Sequence, residues 1–411
     1  FPDALSISMA AMDSKLLNRY LTTNNTTGVT ESQMVQVSGH KSARAWYDLA
    51  VQSGRTDPVS GRVENIPVTG SFGGGYASGA FNAAVPAALR WNELTNPAGA
   101  RATVFDIGRN VYGVDESGYG RRPFDNVGVQ YGLAQLNAGV LSAEQFLELN
   151  EKAGGYDRNG NYITARAVGD AGAIKRAYQS GLQLGGSGGL AAIPVFDMSN
   201  FYDEGNYYHY QWFHFAARER MRQANGDTRN HVMWRGGVSF ADLFGVTTPG
   251  QAERAAISAK SQADGWAAFV KWVDAYRADT SAAAQRDKVI ARKPAEAVDG
   301  CFSFSTAPQF IAETQTLGST GGSCNAIWPS FTFPRAQAGG PVAADKLKCQ
   351  LKPVNAADYP GFTGAQLARL NAVFAGGVCD WSQAGVNQTP LVPYASFGPS
   401  PANLVFQVGS P

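Results

Sequence analysis

The sequence predicts an α/β fold, and three observations carry that expectation. A strand–helix–strand succession with short links runs over residues 190–240, capped amphipathic helical patterns precede it, and all four cysteines follow it in a loop-rich remainder. With 411 residues, 44% of them hydrophobic and 16% charged, the chain can bury a sizeable core. Its 47 glycines and 20 prolines imply many tight turns and long ordered loops.

Residues 1–65 mix a short amphipathic stretch, DSKLLNRYL, with polar loop, and 66–130 is rich in Gly, Tyr and Arg without a clear period. VGVQYGLAQLNAG then carries apolar residues at helical spacing and ends at Gly139. SAEQFLELNEKAGG opens with a capping box, Ser142 to Gln145, and stops at Gly154-Gly155, and AGAIKRAYQSG predicts a further helix. LAAIPVFDM is an apolar run of strand length, expected to be buried and to end near Asp197. A helix is expected over YHYQWFHFAARERMRQANG, closed by Asn225-Gly226, with a second strand in NHVMWRGGVSF. In such parallel units the site lies at the carboxyl ends of the strands, where Asp197 is expected. A long amphipathic helix is expected from Gln251 to Tyr276 and a capped one from Thr363 to Phe374.

A net charge of +1 and the absence of any basic run argue against nucleic acid or an acidic membrane surface as partner. No uninterrupted apolar run is long enough to cross a bilayer. The chain opens at Phe1 with neither Met nor a leader, so it is expected to be a processed product or an excerpt. Cys301, Cys324, Cys349 and Cys379 form no CxxC pair, which argues against a metal site and for disulfides in an oxidising compartment. Three pairings are open; the sequential one, Cys301 with Cys324 and Cys349 with Cys379, closes the shortest loops and is preferred, with free buried thiols the alternative.

Gly185-Gly186-Ser187-Gly188-Gly189 is a literal G-x-S-x-G. A nucleophile elbow needs a strand before the serine and a helix after it. Ser187 is preceded by a helical pattern and followed by a strand, so the run is expected to be a connection. The four histidines are His40, His209, His214 and His231. His209, among Tyr207, Tyr208, Tyr210 and Trp212, is the leading candidate for a general base. His231 opens a strand and is read as structural, and His40 as a loop residue. Asp197 is the expected acid that orients the base, with Asp203 in reserve and Glu204 nearby; helix capping is the plainer role for these carboxylates. Arg218, Arg220 and Arg222 could pair with them or meet a substrate carboxylate. Asp157-Arg158-Asn159-Gly160-Asn161 has calcium-loop chemistry without the EF-hand spacing, so a plain turn is expected.

The segments RPFDNVGVQYGLAQLNAG, IPVFDMSNFYDEGNYYHYQWFHFAARERMRQANG, FPRAQAGGPVAADKLKCQLKP and GVCDWSQAGVNQ together resemble a family of secreted bacterial proteins. That family is organised like α/β-hydrolases and the tannase and feruloyl esterase group, and its own function is poorly defined. The resemblance spans most of the chain. It implies the C-terminal part of an α/β-hydrolase-like fold, with the nucleophile elbow upstream of FPDAL, where this chain begins. Residues 1–185 would be a large, mainly helical cap, 186–280 the hydrolase core, and 281–411 a disulfide-tied, loop-rich extension. Asp197, His209 and Arg218 match positions of the family, although α/β-hydrolases usually place their histidine after the last strand and none follows His231 here.

The expected function is therefore a secreted or periplasmic serine hydrolase of esterase or amidase type. His209 and Asp197 would be catalytic, and Arg218, Trp212 and Tyr208 would contact an apolar or aromatic acyl substrate. The serine would come from a companion chain, with no cofactor and no metal. The rival expectation is a non-catalytic extracellular protein that grips a glycan or polymer.

Overall fold

A computed structural model describes residues 4–52, 86–101, 103–203, 209–243 and 245–392. Among them, nine helices of seven residues or more are α1 (Ala4–Arg19), α2 (Glu31–Ser38), α3 (Ala43–Gln52), α4 (Ala143–Lys152), α5 (Ala171–Gln179), α6 (Trp212–Asn225), α7 (Gln251–Arg277), α8 (Gln285–Ala291) and α9 (Gly364–Val373). The strands are β1 (Gly155–Tyr156), β2 (Tyr162–Ile163), β3 (Val195–Ser199), β4 (His231–Arg235), β5 (Gly300–Phe302), β6 (Phe310–Ala312), β7 (Gln350–Lys352) and β8 (Val378–Asp380). They fall into two units: residues 185–332, and residues 4–184 with 333–392.

The second unit is mainly helical. Its helix starts follow the sequence chemistry: Thr30, Ser142 and Thr363 close capping boxes with Gln33, Gln145 and Gln366, each satisfying backbone N–H groups that the first turn leaves free. α4 and α9 pack through Phe146, Leu147 and Leu370, with Phe374 and Val378 in the same cluster. The helix expected over 127–139 is shorter, spanning only Leu133–Asn137. Gly128 and Gly132 take φ values of 77° and 78°, so the chain before Leu133 turns instead of winding.

That turning segment builds a buried ionic centre. Arg335 Nε donates to Asp13 Oδ2 at 2.7 Å and one Nη donates to the Asp125 carbonyl at 2.6 Å, while the Tyr131 hydroxyl donates to Asp13 Oδ1 at 2.6 Å. Asp13 is fully buried. Glu148 is a second such centre, accepting from the Tyr20 hydroxyl at 2.8 Å, Thr27 N at 2.9 Å and Lys152 Nζ at 2.6 Å. Burial alone would raise its pKa, but the hydrogen bonds from Lys152, Thr26, Thr27 and Tyr20 hold it well below the usual carboxylate range. Asp157 accepts from the backbone N–H groups of Asn159 and Asn161, so the Asp157–Asn161 loop is a side-chain-locked turn.

The four cysteines pair sequentially, Cys301 with Cys324 and Cys349 with Cys379. The second bond ties the short β7–β8 ladder, in which Leu351 faces Cys379. The sequence separations of 23 and 30 residues correspond to about 3.5 kcal/mol each in the loop-entropy account.

The other unit holds a four-stranded sheet in the order β3-β4-β5-β6, parallel from β3 to β5 and closed by the antiparallel β5–β6 pair. Among the described residues β3 is an edge strand, and it runs to Ser199, so Asp197 lies within the strand instead of at its end. α7 covers one face. A Cβ on its Gly265 would stand 2.7 Å from Met198 Sδ and 3.3 Å from Phe196, so the bare glycine lets the helix settle on Phe196, Met198 and Trp234. The helix expected from residue 208 begins at Trp212, which leaves His209 in the approach to α6.

Gly186 explains the glycine run that precedes β3. A Cβ there would lie 2.0 Å from the Arg220 carbonyl oxygen and 2.4 Å from Met221 N, backbone atoms of α6, and the Asn225 side chain donates to the Gly186 carbonyl. Ser187 is exposed, and a 3₁₀ turn and a strand follow it. Gly186→Ala is expected to lower stability by about 1–3 kcal/mol, because backbone cannot yield as a side chain does. Ser187→Ala is expected to be neutral; urea unfolding of the two variants checks the contrast.

Candidate functional site: a histidine–carboxylate ladder under α6

Gln211, His214 and Arg218 follow one another by three and four residues, so they form one stripe at the start of α6, while Trp212, Phe213, Phe215 and Ala216 are buried. Alternation along β3 puts Val195, Asp197 and Ser199 on one face, and the parallel register sets His231 beside Val195 and Met233 beside Asp197. The polar stripe of α6 meets this face.

His214 Nδ1 lies 2.6 Å from Asp197 Oδ1, with side-chain exposures of 21% and 16%. The other oxygen, Asp197 Oδ2, faces His231 Nε2 at 3.6 Å. On its far side, His231 Nδ1 accepts from Arg218 Nε at 2.8 Å. Arg218 in turn grips Asp299 through both terminal nitrogens, one contact measuring 2.8 Å, and Asp299 Oδ1 accepts Met233 N at 2.9 Å. The side chains thus run Asp299, Arg218, His231, Asp197, His214 across α6 and the sheet.

The electrostatics follow from this order. Burial alone would raise the Asp197 pKa, but the His214 charge and hydrogen bond, then His231, hold its carboxyl far below the usual range. Burial pushes the His231 imidazole down, which favours its neutral form. His209 is lowered to about 4, by burial first and then by the charge of His214. Asp203 is raised to about 6 by burial, against hydrogen bonds from Gln211 N and Nε2, each 3.2 Å long.

A carboxyl held below its unfolded value stabilises the fold above the ordinary pKa of about 3.9, and that contribution is lost as pH falls through the lower folded value. Urea midpoints of the wild type are therefore expected to drop more steeply on acidification below about pH 4 than those of Asp197→Asn.

The expected site residues occupy distinct surroundings. Asp197 bonds to His214, whereas the pairing expected from sequence was with His209. His231, read as structural from its strand position, is Asp197's second imidazole neighbour. Arg218 is engaged by Asp299 and His231. Trp212 is 1% exposed with its ring 3.8 Å from that of Phe213. Tyr208 and Glu204 lie outside the described residues. Asp299 is 81 residues from Arg218, and no local sequence pattern marks it as part of the site. Among the described residues there is no cluster of three or more His, Cys, Asp or Glu that could hold a metal ion, and no helix is long and apolar enough to cross a membrane.

An imidazole bonded through Nδ1 to an ionised carboxylate is positioned to accept a proton at Nε2, the arrangement that acyl-transfer enzymes use to activate a hydroxyl. No curated protein and no solved structure matches the chain. The model of a tannase-like family of unknown function (DUF6351) matches residues 1–390, and the chain belongs to that family.

Proposed function

We propose that this chain supplies the acid–base half of a secreted serine hydrolase acting on ester or amide bonds, with an apolar or aromatic acyl group in the substrate. The carrying observation is the His214 Nδ1 contact to Asp197 at 2.6 Å. In this reading His214 is the general base, Asp197 fixes its tautomer and offsets the charge it gains, and the tannase-like family points to an ester. His209 is the weaker base, since a pKa of about 4 lies far from neutrality. The two disulfides fit an oxidising compartment.

The nucleophile is assigned to a companion segment. Among the described residues no hydroxyl hydrogen-bonds His214 Nε2, and Ser187 stands in a loop set by Gly186. The edge of the sheet supports such a companion. Val195 N bonds to Asn230 O and Gly236 N to Ser199 O, so the backbones of Val195, Asp197 and Ser199 face β4, while those of Phe196 and Met198 face outward. Ile193 and Met198 are each 41% exposed there. A strand from the companion would cover that edge.

Turnover of aryl esters by histidine variants tests the reading. His214→Ala is expected to lose about 10²–10⁴-fold in kcat with the fold retained by circular dichroism, and His209→Ala to lose less than about tenfold. The reverse ranking would move the base to His209.

A further inference from the structure

We infer that Arg218 is a positioning residue that acts through His231: it fixes which nitrogen of that imidazole carries the proton, and so keeps Asp197 available as a carboxylate for His214. The inference rests on the reading of His214 as base, and it gives Arg218 a role other than the substrate contact expected from sequence.

A guanidinium has only donors, so the His231 Nδ1 that receives Arg218 Nε at 2.8 Å must present its lone pair. A ring whose Nδ1 accepts carries its single proton on Nε2. That nitrogen lies 3.6 Å from Asp197 Oδ2, so its N–H supplies positive polarity beside the oxygen that His214 leaves unused. The opposite tautomer would set a lone pair against the carboxylate and a proton against the guanidinium.

Arg218 is itself fixed by the two-point contact with Asp299, whose oxygens also take the N–H groups of Met233 and Gln315. The charged groups around His231 are therefore Asp197 on β3, Arg218 on α6, Asp299 before β5, and Lys293, whose ammonium lies 3.5 Å from the His231 carbonyl. Of these, Arg218 alone donates to the ring among the described residues. A lysine has no planar fork and could not serve Asp299 at two points while addressing the ring.

The test is the nitrogen-15 spectrum of the histidine rings in the full chain near pH 7. The expected result is a neutral His231 with its proton on Nε2 and an acceptor-type Nδ1, and an altered pattern in Arg218→Gln. A wild-type His231 that is cationic or protonated on Nδ1 overturns the inference, as does a His231 pattern unchanged in Arg218→Gln. Should that variant fail to fold, the wild-type spectrum still decides the tautomer. Kinetics add a second readout. A positioning role predicts a fall in kcat of about tenfold with KM within about twofold, whereas a raised KM at unchanged kcat marks a substrate contact and overturns it. If the wild type proves to have no hydrolytic activity, the base assignment fails while the spectrum still judges the tautomer.

Discussion

Asp197→Asn is expected to lower turnover by roughly 10³–10⁴-fold while leaving the fold intact. The reason is directional. Asp197 stands between two imidazoles, with His214 at Oδ1 and His231 at Oδ2. An asparagine offers one acceptor and one donor in their place. Because Arg218 holds the His231 proton on Nε2, the amide oxygen belongs on the His231 side and the NH₂ group turns to His214. His214 Nδ1 must then accept, its proton moves to Nε2, and the nitrogen meant to take a proton already carries one. Turnover within about tenfold of wild type, in a variant whose His214 tautomer is shown to have switched, would remove Asp197 from the catalytic account.

The largest expected stability change lies in the other unit. Asp13→Ala is expected to cost about 3–5 kcal/mol, because it leaves the Arg335 guanidinium buried beside Tyr131 and the Asp125 carbonyl without its ion-pair partner. Desolvation works against this cation, and Asp13 is the largest influence offsetting it. Asp13→Asn, which keeps an acceptor, should fall between the two. Urea unfolding measures both, and a loss below about 1 kcal/mol for Asp13→Ala would show that water reaches Arg335.

The parts of this structure that local chemistry dictates were readable in the sequence. Ser142 with Gln145 and the helix after Thr363 announce themselves by side chains that satisfy neighbouring backbone groups. The cysteine pairing followed from loop length, and the strand, helix and strand around Asp197 from apolar runs broken by Asn225-Gly226. Segments that carried the family resemblance prove to be structural as well: Arg335 of FPRAQ reaches Asp125 of RPFDN, and KCQLKP pairs with GVCDW through β7 and β8.

What could not be read depends on position by one or two residues or on distant contacts. Whether Asp197 ends its strand or sits within it turns on the two residues that continue β3 to Ser199. The start of α6 at Trp212 takes His209 off the helix and sets His214 and Arg218 in one stripe, which changes the partner of Asp197. β5 and β6 have three residues each, too few for a period of two to show. Asp299 reaches the site only through tertiary folding.

Whether His214 activates a serine held close to this chain is decided by the rate at which a fluorophosphonate labels the native protein together with any polypeptide that accompanies it. One serine other than Ser187 is expected to be labelled, about a hundredfold or more slowly in His214→Ala. Labelling at the wild-type rate in His214→Ala, or no labelled serine in catalytically active material, would exclude His214 as the base of a serine hydrolase.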